Sequence, residues 1–175
     1  MTDAEPRPAG DSPADPAPED VVEYDAVVLP AVHNSMVGNK GKNTKPELLV
    51  RRRLREEGLA GYRLHWRVPG HPDIAYPGKK VAIFVNGCFW HRCPHCNPST
   101  PKSNQDYWVP KFKRNVERDR ENVAALKADG WRVHVIWECE LKKKAVENTF
   151  ARLIPQLREE LGKGEGGAPQ ARDAS

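Results

Sequence analysis

Three of the chain's four cysteines crowd into the decapeptide Gly87-Cys88-Phe89-Trp90-His91-Arg92-Cys93-Pro94-His95-Cys96, and the fourth, Cys139, lies far downstream. Cys88, Cys93 and Cys96 stand at C-x4-C-x2-C spacing, and thiolates so spaced converge on one ion at roughly 2.3 Å without strain. Tetrahedral zinc needs a fourth ligand, and Cys139, at the end of a strand-like run, is placed to supply it. His95 is the alternative ligand if one thiolate is left out. The plainer alternative is that some of these cysteines pack as small apolar side chains. A shell of four thiolates leaves no open position, so Zn²⁺ held this way is structural and not catalytic.

A second candidate is Asp73, in Pro69-Gly70-His71-Pro72-Asp73-Ile74, a carboxylate at the start of a short strand with the apolar run Val81-Ala82-Ile83-Phe84-Val85 behind it. A Pro-Asp pair leading one strand of a hairpin is the first half of the PD-(D/E)xK nuclease pattern, in which the aspartate holds Mg²⁺ against the scissile phosphate. The second half is missing, because Phe84-Val85-Asn86 stands where an acidic residue and a lysine belong. Carboxylates are frequent at strand starts, so taken alone Asp73 reads better as an ordinary one than as a metal ligand.

Positioning such groups requires elements, and the sequence marks them. Thr44-Lys45-Pro46-Glu47 offers an N-cap hydroxyl, a proline in the first turn and a glutamate three residues after the cap, so a helix is expected over 46–57, stopped by Gly58. Aromatic and β-branched content predicts strands at 62–66, 74–76, 81–85 and 131–137, with Pro77-Gly78 closing a hairpin between the second and third. Phe112, Val116, Val123 and Leu126 recur near helical spacing and predict a helix over 105–129, with Gly130 as its stop. A last helix is expected over 143–161. Helices around a short mixed sheet make an α/β or α+β architecture.

Composition bounds the rest. The 175 residues suffice for one domain and carry 28 Lys and Arg against 24 Asp and Glu, a net charge of +4. That figure hides an asymmetry: residues 1–33 have a net charge of −7, whereas 34–161 reach +11. A basic domain suits a polyanion, since each cation docked on a phosphate releases condensed counterions, although solvated surface charge is the plain alternative. Residues 1–33, rich in Pro, Ala, Asp and Glu, and the Gly-rich residues 162–175 read as disordered tails flanking a domain over 34–161. The acidic tail could lie over the basic face and weaken non-specific DNA binding. No stretch approaches the roughly 20 apolar residues that span a bilayer and no secretory signal is visible, so a cytoplasmic location with reduced thiols is expected.

Thr44-Lys-Pro-Glu47, Val68 to Asp73, Val81-Ala-Ile-Phe-Val-Asn-Gly-Cys-Phe-Trp-His91, Asn115-Val-Glu-Arg-Asp-Arg120 and Gly130-Trp-Arg-Val-His-Val-Ile-Trp-Glu-Cys139 occur in this order over residues 34–142. In this the chain resembles the very short patch repair endonucleases, a variant of the PD-(D/E)xK superfamily that lacks the usual second acidic residue and lysine. The resemblance implies a restriction-endonuclease-like three-layer α/β fold with a short mixed central sheet, flanking helices and a structural zinc site. It also implies a Mg²⁺-dependent endonuclease that nicks one strand of double-stranded DNA 5′ of the thymine in a T·G mispair left by deamination of 5-methylcytosine. Such an enzyme is linked functionally to a cytosine-5 methyltransferase and a repair polymerase, works near the nucleoid if bacterial, and needs only one active site, so a monomer is expected. The competing expectations are a nickase for other mismatched or modified DNA tied to a restriction-modification system, and a zinc module that binds nucleic acid without cutting it.

Carried over residue by residue, the resemblance makes Asp73 the Mg²⁺-binding carboxylate, with the Val85 backbone carbonyl as the neighbouring ligand. It makes His91 the general base and Glu47 a helix glutamate supporting the catalytic centre. Phe89 and Trp90 become the aromatic pair wedged into the base stack, met from the other side by Met36. Each has a plain counterpart: a core histidine beside the zinc for His91, the capping box for Glu47, core packing for the aromatic pair. Two departures stand out. Asn86 replaces a histidine that helps hold water, and an amide can position water but cannot exchange a proton near neutral pH. Cys93 replaces a histidine zinc ligand, which makes the site softer and more zinc-selective.

Overall fold

The computed structural model describes residues 41–164. The expectations for residues 1–33, for Met36 and for most of 162–175 fall outside that range. Helix α1 (Lys45–Glu56) starts at Thr44, whose hydroxyl accepts from the Glu47 N–H while the Glu47 carboxylate accepts from the Thr44 N–H, closing the capping box the sequence proposes. A cap of this kind contributes about 1 kcal/mol. The helix ends at Glu57, and Gly58 follows with φ +70°, a conformation that favours glycine.

Strands β1 (Ile74–Tyr76) and β2 (Val81–Asn86) form the expected antiparallel hairpin, joined through the 3-10 turn Pro77–Lys79 and a left-handed Lys80. The long helix α2 (Gln105–Ala128) carries the chain back to β3 (Arg132–Trp137), which lies parallel to β2 with Val81 opposite Arg132. The sheet is therefore mixed, in the order β1-β2-β3. A short 3-10 segment, Glu138–Leu141, leads to α3 (Val146–Leu161).

Two expectations are corrected. The strand at 62–66 shrinks to one bridge between Arg63 and Ala75, because His65 takes φ +47° and turns the chain out of the ladder. The last helix begins at Val146 rather than 143, since the Ala145 N–H turns back to the Lys142 carbonyl.

The alternation of the strands separates two apolar layers. Ile74, Tyr76, Val81, Ile83 and Ile136 pack with Val50 and Leu54 of α1 and Phe150, Leu153, Ile154 and Leu157 of α3. On the opposite face Ala75 and Ala82, paired in register, pack with Leu126 of α2 and with Trp131. Two alanines facing each other make room for α2 to approach the sheet closely. The result is an α/β arrangement with a three-stranded sheet between helices, as expected.

Two helical stripes break the apolar rule. On α1 the buried stripe reads Glu47, Val50, Arg51, Leu54, half of it charged. On α2, Trp108, Phe112, Asn115, Asp119, Asn122 and Leu126 recur at three- and four-residue steps, so they share one face, apolar at its ends and polar in its middle. Polar groups on a core-facing stripe need partners. Those partners define the site.

Candidate functional site

Asp73 sits just ahead of β1, and its Oδ2 accepts the Val85 N–H at 2.7 Å. Continuing the hairpin register places Pro72 opposite Val85, and proline has no N–H to donate across that pair. In a strand, the N–H and C=O of one residue point to the same edge, so the Val85 carbonyl faces the Asp73 side without a donor from Pro72. A carboxylate and a backbone carbonyl together are hard oxygen donors, the chemistry Mg²⁺ prefers. Burial pushes the Asp73 carboxyl above its ordinary value of 3.8; the Val85 N–H, His65 and Arg51 pull it down, while the Glu47 charge adds to the rise. A buried acid close to a second carboxylate gains from a bound cation.

Glu47 is only 3% exposed, and both its oxygens are taken. Oε2 accepts from the Asn43 N–H at 3.0 Å and from the Arg51 guanidinium at 2.7 Å; Oε1 accepts from the Thr44 hydroxyl at 2.8 Å and from the Thr44 N–H. Arg51, equally buried, also donates to the Asn43 side chain at 2.6 Å. Glu47 thus orders the start of α1 and neutralises a buried guanidinium, and it acts on Asp73 through its charge.

His91 lies on the turn after β2, where its N–H donates to the Gly87 carbonyl. Its Nδ1 is 2.5 Å from Oδ2 of Asp119 on α2, and both side chains are about one-quarter exposed. A carboxylate only accepts, so Nδ1 carries the proton, and in the neutral imidazole Nε2 is the nitrogen that keeps a lone pair. Asn115, one turn earlier on α2, donates to the Trp90 carbonyl at 3.1 Å, so α2 grips this turn at two points. Asn86 ends β2 opposite Trp137, partly buried.

Phe89 and Trp90, between Cys88 and Cys93, are each half-buried. Phe89 meets the rings of Trp90, Trp108 and Phe112 edge-on, with centroids 5.1, 5.6 and 5.1 Å away, and Trp90 lies 5.9 Å from Trp108. Arg92 stacks over Phe112 at 4.5 Å and donates to the Pro98 carbonyl. Core packing and exposure therefore coexist: the pair rests on a rigid aromatic platform with part of each ring open.

The sulfurs of Cys88, Cys93, Cys96 and Cys139 all lie within 4.8 Å of one another, a set that could hold a metal ion. Cys93 and Cys139 Sγ are 3.6 Å apart, far from a disulfide and near the roughly 3.8 Å edge of a tetrahedron with 2.3 Å metal–sulfur bonds. The Cys139 N–H donates to Cys88 Sγ at 3.3 Å. Burial pushes the Cys88 and Cys139 thiols up; Cys93 is also buried, but backbone N–H groups of Cys96 and His95 outweigh this and hold it down. His95 is exposed and stands outside the four-sulfur set.

Three residues of this neighbourhood receive no role from the sequence: Asp119, which lies within the Asn115–Arg120 run, Arg51 and His65. The signal for the first two was present, as a charged residue on a core-facing helical stripe. His65 has no such signal, because only the Arg63–Ala75 bridge brings its segment beside Asp73.

Residues 30–97 match the family model described as DNA mismatch endonuclease Vsr. The type II nicking enzyme V.XorIIP of Xanthomonas oryzae pv. oryzae is 48% identical over 103 residues, covering 58% of this chain and 75% of that protein. The type II nicking enzyme V.NmeAIP of Neisseria meningitidis serogroup A is 41% identical over 120 residues, 67% of this chain and 85% of that protein. The DNA mismatch endonuclease Vsr of Escherichia coli is 36% identical over 118 residues, 64% of this chain and 74% of that protein.

Proposed function

Because the chain belongs to the Vsr family of DNA endonucleases, we propose that it nicks one strand of duplex DNA 5′ of the thymine in a T·G mispair and so starts very short patch repair. The observation that carries the chemistry is the His91–Asp119 pair. Asp119 holds the imidazole in the tautomer whose Nε2 takes a proton from the attacking water, while Asn86 positions that water by hydrogen bonding. The oxygen of the water forms the new bond to phosphorus as the bond to the 3′ oxygen breaks.

Asp73 and the Val85 carbonyl are the residues that would hold Mg²⁺, and their oxygen-only character fits that ion. When bound, it supplies positive charge against the phosphate and the leaving oxygen. Glu47, locked to Arg51, keeps the α1 end of the site in place. Cys88, Cys93, Cys96 and Cys139 would hold Zn²⁺ and fix the turn that carries His91. The hairpin with a parallel third strand and helices on both faces supports a restriction-endonuclease-like fold.

Phe89 and Trp90 act as the wedge. Unstacking costs a few kcal/mol and is least at a mispair, which converts a rigid aromatic platform into selectivity. A T·G mispair arises where 5-methylcytosine deaminates, so the substrate is supplied by a cytosine-5 methyltransferase and the nick is consumed by a repair polymerase. The enzyme works on DNA in the cytoplasm as a monomer; among the described residues no helix is long and apolar enough to cross a membrane.

A second reading, a nickase tied to a restriction-modification system and tolerant of other mismatched or modified DNA, is favoured by one observation. Three relatives more similar than the Escherichia coli mismatch endonuclease carry the name type II nicking enzyme. End-labelled duplexes holding T·G, U·G or T·A, incubated with and without Mg²⁺, decide between the two. The first reading expects one nick, 5′ of the mispaired thymine and only with Mg²⁺. Equal cutting of paired duplex sinks it.

A further inference from the structure

Residues 61–72 link α1 to β1 as a loop, and this loop exposes what a soluble surface normally hides. Leu64 is 43% exposed and Trp66 38%, with Arg63 and Arg67 exposed on either side. Trp66 belongs to neither apolar layer and adds apolar area to the surface. Neither arginine has a carboxylate partner among the described residues.

The loop is nevertheless built to hold its shape. Arg63 and Ala75 exchange both backbone hydrogen bonds, at 2.7 and 2.8 Å, which closes its neck. Inside it the Val68 N–H donates to the Trp66 carbonyl and the His71 N–H to the Val68 carbonyl, each at 2.9 Å. Gly70, at φ +76°, sits so close to α2 and β2 that a Cβ there would lie 3.0 Å from the Asn122 Cβ and 3.1 Å from the Phe84 ring. His65 and His71 both hold positive φ, a strained conformation that persists only where surrounding contacts enforce it. The bridge fixes Arg63 opposite Ala75, two residues along the chain from Asp73, and the His65 charge acts on the Asp73 carboxyl. The exposed residues therefore border the carboxylate at which the proposed cut is made.

We propose that residues 63–67 are a second DNA-contacting element, in which Arg63 and Arg67 take backbone phosphates flanking the scissile one and Trp66 packs on a sugar or base edge between them. Duplex DNA is the occupant because this family acts on DNA, the two guanidinium groups match phosphate in charge and geometry, and the loop adjoins Asp73. A preordered loop loses little conformational entropy on binding. The assignment rests on the nuclease reading and adds to it a surface separate from the Phe89–Trp90 wedge.

The test uses the full chain and fluorescence anisotropy on a T·G duplex without added divalent ions, over roughly 50 to 300 mM salt. Arg63→Ala and Arg67→Ala should each reduce the slope of log K against log salt by about 0.9, and the double variant by about twice that. Trp66→Ala should weaken binding about 5- to 50-fold with the slope unchanged, and Trp66→Phe should restore most of the loss. Arg152→Ala, remote on α3 and paired with Glu140, should leave the slope as it was. Unchanged melting temperatures confirm that folding is intact. Variants that match the parent in slope and affinity, while the parent nicks normally, overturn this assignment alone; a parent that neither binds nor nicks duplex DNA overturns the nuclease reading as well.

Discussion

His91 Nδ1 and Asp119 Oδ2 meet at 2.5 Å across 28 positions of sequence, one on the turn after β2 and the other at mid-α2. The pair ties the proposed general base to α2, the longest helix among the described residues. In the proposed mechanism Asp119 touches no reacting atom, so its part there is that of a positioning residue whose effect passes through His91.

Asp119→Asn should lower single-turnover nicking about 10- to 100-fold, and His91→Ala about 10²- to 10⁴-fold, with affinity for the T·G duplex unchanged. Because one residue acts through the other, the double variant should be no slower than His91→Ala. Losses that multiply in the double variant would mean the two groups act separately.

Asp73→Asn should abolish detectable nicking while raising the melting temperature near neutral pH in protein without added divalent ions. Burial raises the Asp73 pKa above 3.8 in the folded state, so folding favours the protonated form. The folded state then binds more protons than the unfolded one in the window between the two values. Stability falls as pH rises through that window, and the charged form stays destabilising above it. Asparagine keeps an acceptor for the Val85 N–H and removes the charge, so its gain should shrink as pH is lowered toward the ordinary value. A variant less stable than the parent at neutral pH contradicts the sign.

Purified protein should contain one zinc per chain, released together with four titratable thiols by a strong chelator at high temperature. Cys139→Ser should lower the melting temperature by more than 10 °C and destabilise the turn bearing Phe89, Trp90 and His91, since structural zinc contributes folding energy directly. Metal analysis that finds no zinc in protein that still melts cooperatively and nicks would remove the ion from the account.

Glu47→Ala should cost about 3–5 kcal/mol of stability in urea unfolding, because it strands the buried Arg51 charge and removes the capping box. Replacing both, Glu47→Leu with Arg51→Met, should recover most of that loss, since an apolar pair removes two buried charges together. If the recovered double variant nicks at the parental rate, Glu47 supports the scaffold and adds nothing to the chemistry.

Much of this fold is legible in residues whose meaning is local. Thr44 and Glu47 mark a helix start because a capping box spans only four residues, and the 74–76 and 81–85 runs mark a hairpin because the turn between them is short. The 62–66 run fails for the same reason. Its β-like composition is real, but one residue at positive φ, His65, set by the tight loop beyond it, ends the pairing after a single bridge.

The site divides along the same line. Types and spacing alone single out Cys88, Cys93 and Cys96 as a ligand set and Asp73 as a strand-start carboxylate, because both patterns depend on neighbours in the chain. That Asp119 rather than solvent faces His91, and that Arg51 consumes Glu47's second oxygen, are decided by packing, which also brings Cys139, already marked in the sequence as the fourth ligand, within 4.8 Å of the other three sulfurs. Helix α2 folds across the sheet on two small alanines, and this brings its polar mid-stripe against the turn after β2. Such encounters depend on distances between elements, which no spacing along the chain encodes.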